Sequence, residues 1–184
     1  MGARKRLPVG QGDVFAAAYG GHLDVMNWLR ANDCLWDADE LDPSWMLHTA
    51  AERGDEASVR ALVELGVDFN KGREDDGDTP LYEDAQNGEE ALVRFLIMMG
   101  ADLDEAQDGG KTPLFIAAEL GEGDYQVEIV RALVKAGASR NIWTDVGDGQ
   151  HETALSIAEE YARANSYLGP HAEIAQILRD AARR

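Results

Sequence analysis

TPLYEDAQNG at residues 79–88 and TPLFIAAELG at residues 112–121 are the two stretches that decide the fold. Each begins with Thr-Pro, a pair suited to a helix start. The threonine hydroxyl can accept a free amide of the first turn, and proline, having no N–H to satisfy, fits the first helical position. Each stretch ends on glycine, Gly88 and Gly121, where a helix can stop. A second amphipathic segment then follows. In EEALVRFLIMMG, residues 89–100, the apolar residues Leu92, Val93, Leu96 and Ile97 line one helical face. In VEIVRALVKAG, residues 127–137, the residues Ile129, Val130, Leu133 and Val134 repeat that face slot for slot.

The same register holds along the chain. Leu47, Leu81 and Leu114 lie 34 and 33 residues apart, and Gly21, Gly54, Gly88 and Gly121 lie 33, 34 and 33 apart. Met26, Val59 and Val93 keep that spacing, as do Leu29, Leu62 and Leu96. One helix pair cannot bury its apolar stripe alone, but stacked pairs cover one another and make the core continuous. The period therefore predicts an all-α solenoid with turn-rich connections, in which Leu96 and Leu133 share one buried central slot.

DTPLYEDAQNG and KTPLFIAAELG resemble the TPLHxAAxxG signature of ankyrin repeats. LGVDFN, MGADLD and AGASRN, at residues 65–70, 99–104 and 136–141, are similar to the GADxN close of the second helix. The resemblance covers about residues 12–182. It implies L-shaped repeats, each with two antiparallel helices and a projecting β-hairpin finger, in a protein that binds other proteins and has no active site of its own. The expected division is a flexible N-terminus at 1–11 and one domain at 12–182, with repeats at 12–37, 38–71, 72–104, 105–141 and 142–182. Repeat one lacks a preceding hairpin and reads as a cap. Cys34 in it falls where Val67, Ala101 and Ala138 fall, a slot for a small buried residue; a reactive thiol is the alternative. Two insertions interrupt the register, four residues around EGDY and eight around RANSYLGP. They read as loop growth, and Tyr125 and Tyr167 keep a second contact patch open.

The six carboxylates between Gly72 and Gly88 invite a metal or catalytic reading. A calcium loop starting at Asp76 fails because Pro80 occupies a ligand position, and one starting at Asp75 fails because Gly77 does. Acid–base catalysis needs a carboxyl desolvated enough to hold a proton near neutrality, whereas residues 74–78 fall at a hairpin tip. The carboxylates are therefore expected to form a charged outer face. His48 occupies the His slot of the signature and His22 a Gly-His slot, for which the resemblance implies structural roles. His151 and His171 have no ligand-spaced companions. No phosphate-binding loop, nucleophile elbow or zinc-protease motif occurs. Neither a cofactor nor a metal is expected.

The formal charge is -18, and five of the 17 basic residues lie at the ends as Arg4, Lys5, Arg6, Arg183 and Arg184. So acidic a body repels nucleic acid and anionic lipid and attracts a basic protein segment. A lone cysteine, and a start (MGARKRLPVG) without a signal-peptide core, point to the cytoplasm or nucleus. On the signature, the variable finger and first-helix positions include Asp42, Glu52, Arg53, Asp75, Asp76, Asp78, Gln86, Asn87, Asp108, Lys111, Glu119, Leu120 and Glu152. Trp45, in a Thr slot, and Trp143, before the last finger, either anchor a partner or pack against a neighbouring finger. The expected function is non-catalytic binding of a Lys/Arg-rich protein through an acidic concave surface, by a monomer or a subunit of a hetero-complex. The alternative is a regulatory or inhibitory subunit that covers or completes an enzyme's active site.

Overall fold

Thr-Pro starts a helix at both places where the sequence repeats it. A computed structural model describes residues 44–121, 123–145, 150–164 and 169–182, with residues 16–17, 20, 22, 24–25 and 28 before them. The chain divides into two compact units, Met1–Asp68 and Phe69–Arg184. In the first unit, α1 (Ser44–Glu52) packs on α2 (Glu56–Glu64). Asp55 caps α2, its carboxylate accepting the Ser58 amide at 3.2 Å and the Ser58 hydroxyl at 2.7 Å. Met46, Leu47 and Ala51 on α1, and Val59 and Leu62 on α2, are buried.

The second unit contains α3 (Pro80–Asn87), α4 (Glu90–Met99), α5 (Pro113–Glu119), α6 (Asp124–Ala136), β1 (Trp143–Asp145), β2 (His151–Thr153), α7 (Ala154–Ala164) and α8 (Pro170–Ala181). Thr79 and Thr112 cap α3 and α5, each hydroxyl accepting the amide three residues on, from Tyr82 and Phe115, at 3.2 Å. The first helices α3, α5 and α7 pack in sequence, the second helices α4, α6 and α8 do likewise, and each pair closes on itself. Leu96 and Leu133 occupy the predicted central slot and are fully buried. Each contributes about 1.5–3 kcal/mol relative to exposure.

Polar groups follow the same period. Asn70 Oδ1 accepts the Asp102 amide at 2.9 Å, and Asp104 Oδ1 in the equivalent slot accepts the Ser139 amide at 2.7 Å. The two signature glycines serve different purposes. Gly88 ends α3 in the left-handed region at φ 79. Gly121 is kept by space, since a Cβ there would lie 2.7 Å from Ile174 Cδ1 on α8.

The insertion around EGDY is corrected by the structure: it is mainly helix rather than loop. α6 has 13 residues where α4 has 10, so three of the four added residues extend its N-terminal end. Asp124 in that first turn favours the extension through the helix dipole. Tyr125 on it is 69 % exposed. Residues 165–168 of the second insertion, including Tyr167, lie outside the described residues, as do Cys34 and Asp42.

Candidate partner-binding surface

Finger three is a tight turn. Asp78 O accepts the Arg73 amide at 3.0 Å, Arg73 O accepts the Gly77 amide at 3.0 Å, and Gly77 takes φ 73. Asp76 Oδ1 also accepts the Asp78 amide at 3.1 Å, which is typical turn chemistry for aspartate. Finger four closes through the Gln107 amide on Lys111 O at 3.1 Å. Finger five is an antiparallel ladder pairing Trp143 with Thr153, Thr144 with Glu152 and Asp145 with His151.

These three fingers are tied in order. The Asp108 amide donates to Asp76 O at 2.9 Å, and Thr144 Oγ1 donates to Gly110 O at 2.8 Å. Asp75 and Asp108 are exposed and Asp76 and Asp78 half-buried, so finger three meets the acidic end of finger four at its tip. Arg73 lies under that tip, 3.9 Å from Asp75 and 3.8 Å from Asp76.

Behind the fingers, Gln86, Asn87 and Leu120 are exposed at the ends of α3 and α5. Lys111 pairs with Glu119 at 2.7 Å and lies 5.6 Å from the Phe115 ring centre, which leaves its charge largely neutralised. Desolvation, then Glu160 and Glu119, push the Glu152 carboxyl above its ordinary range, so these three carboxylates crowd one another. Trp143 is 61 % exposed, its ring edge-on to His151 with centroids 4.4 Å apart. Trp45, 49 % exposed, and exposed Glu52 and Arg53 sit on the other unit. Among the described residues, no group of three or more His, Cys, Asp or Glu is arranged to hold a metal ion, and no helix is long and apolar enough to cross a membrane.

A family model described as ankyrin repeats in three copies matches residues 14–107 and 84–182. The chain belongs to the ankyrin-repeat family. No curated protein matches it. Ankyrin repeats generally mediate protein–protein interaction and are generally non-catalytic.

The ankyrin register also corrects the expectation of a wholly outward acidic stretch. Glu83 and Asp84 stand where repeat four has Ile116 and Ala117, and both are buried. Glu83 is held by an ion pair with Arg73 Nη2. Neither oxygen of Asp84 has a hydrogen-bond partner, and burial, reinforced by Glu89, pushes its carboxyl up to about 8. The repeat alignment carried this signal, because both positions map onto apolar slots. His48 and His171 are buried in this ankyrin frame. His171 Nε2 lies 3.1 Å from Glu119 O, and its ring stacks on Tyr161 at 5.0 Å, joining repeat five to repeat four.

Proposed function

We propose that the chain binds a Lys/Arg-rich protein segment through its acidic fingers. The observation that supports this is the Asp108–Asp76 backbone bond, which brings the acidic tips of neighbouring fingers together. Asp75, Asp76, Asp78 and Asp108 form the electrostatic strip, Glu152 continues it on finger five, and Glu119 holds Lys111 beside it. Gln86, Asn87 and Lys111 supply hydrogen bonds. Trp143 and Leu120 give apolar contact that salt does not weaken. On the other unit, Trp45 serves as an apolar anchor and Asp42, Glu52 and Arg53 as charged contacts. We assign the five repeats to one domain at 12–182, acting in the cytoplasm or nucleus as a monomer or as a subunit of a hetero-complex.

A row of like charges speeds encounter with an oppositely charged partner more than it tightens the final complex. The test is association of a Lys/Arg-rich peptide across a salt series, with Asp75→Asn/Asp76→Asn/Asp78→Asn against the unaltered chain. The triple variant should associate roughly tenfold more slowly at low salt, and the gap should close as the Debye length shrinks to about 8 Å and below. A control, Glu64→Gln/Glu105→Gln/Asp124→Asn, removes the same charge from other exposed positions and should change the rate far less. Equal rates for the triple variant and the unaltered chain at low salt would refute the strip.

A further inference from the structure

With 35 acidic against 17 basic residues, a cation in this chain rarely lacks a carboxylate neighbour. Arg60, Arg73, Arg94, Lys111, Arg131, Arg163 and Arg179 are each in an ion pair. Arg53 and Lys71 also have partners. Among the described residues, Lys135 and Arg140 are the two Lys/Arg side chains with no hydrogen bond or ion pair. Both line the same groove, about 850 Å³ in volume, between α6 and α8.

The groove is suited to a peptide. Val134, Ala138, Ile177 and Ala181 give it apolar surface, and its third cation, Arg131, is paired with Glu128 and Glu173, which leaves Lys135 and Arg140 as its unpaired ones. Of its two acids, Glu173 is offset by Arg131, while Asp180 keeps its charge and accepts from Gln176 Nε2 at 2.8 Å. Two of the α6 carbonyls at this end, which would otherwise repel an anion, are taken up. Leu133 O and Val134 O accept the Gly137 amide at 3.1 and 3.2 Å, and Leu133 O also accepts the Ala138 amide at 3.0 Å. Arg140 Nη1 is buried without a hydrogen-bond acceptor, so its guanidinium is partly desolvated. In such surroundings a nearby carboxylate gains more than it would from a fully hydrated arginine.

We propose that the α6–α8 groove is a second docking site, taking an Asp/Glu-rich, partly apolar segment of a protein partner, with Lys135 and Arg140 as its charge seat. It lies on the second-helix layer, built from none of the finger residues, and its preference is opposite to theirs. One chain could thus hold a basic segment at the fingers and an acidic one behind them.

The probe is a labelled peptide of mixed Glu and Leu, followed by fluorescence polarisation at low salt, with the matching Gln and Leu peptide as control. The acidic peptide should bind and the Gln peptide should bind at least tenfold more weakly. Lys135→Gln/Arg140→Gln should weaken the acidic peptide at least tenfold. Lys135→Gln alone, at an exposed position, should weaken it severalfold, which keeps the test valid if the double variant unfolds. Arg94→Gln/Arg163→Gln, which removes paired cations elsewhere, should leave binding unchanged. Asp75→Asn/Asp76→Asn/Asp78→Asn should bind the acidic peptide no less well, so failure here is separable from failure at the fingers. No binding, equal binding of the Gln peptide, or indifference to Lys135→Gln would overturn the site. Concentration-dependent self-association abolished by the Lys135→Gln/Arg140→Gln variant would also overturn it, by making a second copy the occupant.

Discussion

Repeats three and four share a frame but bury different chemistry in their first helices. Repeat four places Ile116 and Ala117 in the core, and repeat three places Glu83 and Asp84 in the same two slots. The charged pair is tolerated by unlike means. Glu83 has a guanidinium from its own finger, Arg73, while Asp84 has nothing and is held protonated by burial. Repeat three thus links its finger to its core through an ion pair, where repeat four relies on apolar packing. The acidic finger and buried Glu83 share one arginine, Arg73, so the electrostatics of the binding tip and the stability of the repeat are coupled there.

The strongest way to test the shared frame is truncation at the common slot. Leu96→Ala and Leu133→Ala should each cost on the order of 2–5 kcal/mol in denaturant titration. Similar losses would support a common register, and an unaltered melting curve for either would break it. The next test separates the repeats. Asp84→Ala, which installs the residue of repeat four, should stabilise by about 2–4 kcal/mol at neutral pH. Because the folded carboxyl titrates near 8 and the free one near 3.8, the native state holds more protons between those values. Stability should therefore fall as pH rises from about 4 to 8 and level off above, and Asp84→Ala should flatten that slope. Below pH 4 the substitution should gain least. A slope unchanged by Asp84→Ala in melting experiments across this range would show that the carboxyl is not held protonated.

The smallest effect concerns the ion pair. Arg73→Ala leaves Glu83 buried without its cation and should cost about 2–3 kcal/mol, reduced from a fully buried pair because Arg73 is partly exposed. Glu83→Ile, copying repeat four, should be close to neutral, since Arg73 keeps Asp75 and Asp76 nearby. Equal losses from the two substitutions would mean that the pair is not interchangeable with apolar packing.

The frame was legible in the sequence because its signals are local and periodic. Thr79-Pro80 and Thr112-Pro113 announce helix starts, Gly88 announces a stop, and the apolar stripes recur at a spacing only stacked helix pairs satisfy. Candidate contact positions follow from the same register, and so does the burial of Glu83 and Asp84, which align with Ile116 and Ala117. Tertiary structure alone decided what depends on distances between segments far apart in the chain. It extended α6 where the sequence read as a loop, gave Glu83 to Arg73, kept Gly121 small for Ile174 of a later helix, and left Lys135 and Arg140 unpaired in one groove. Composition states how many charges a chain carries. Which of them meet, and which are desolvated without a partner, is settled only when the helices pack, because Coulomb and desolvation energies change steeply over the few ångströms that packing determines.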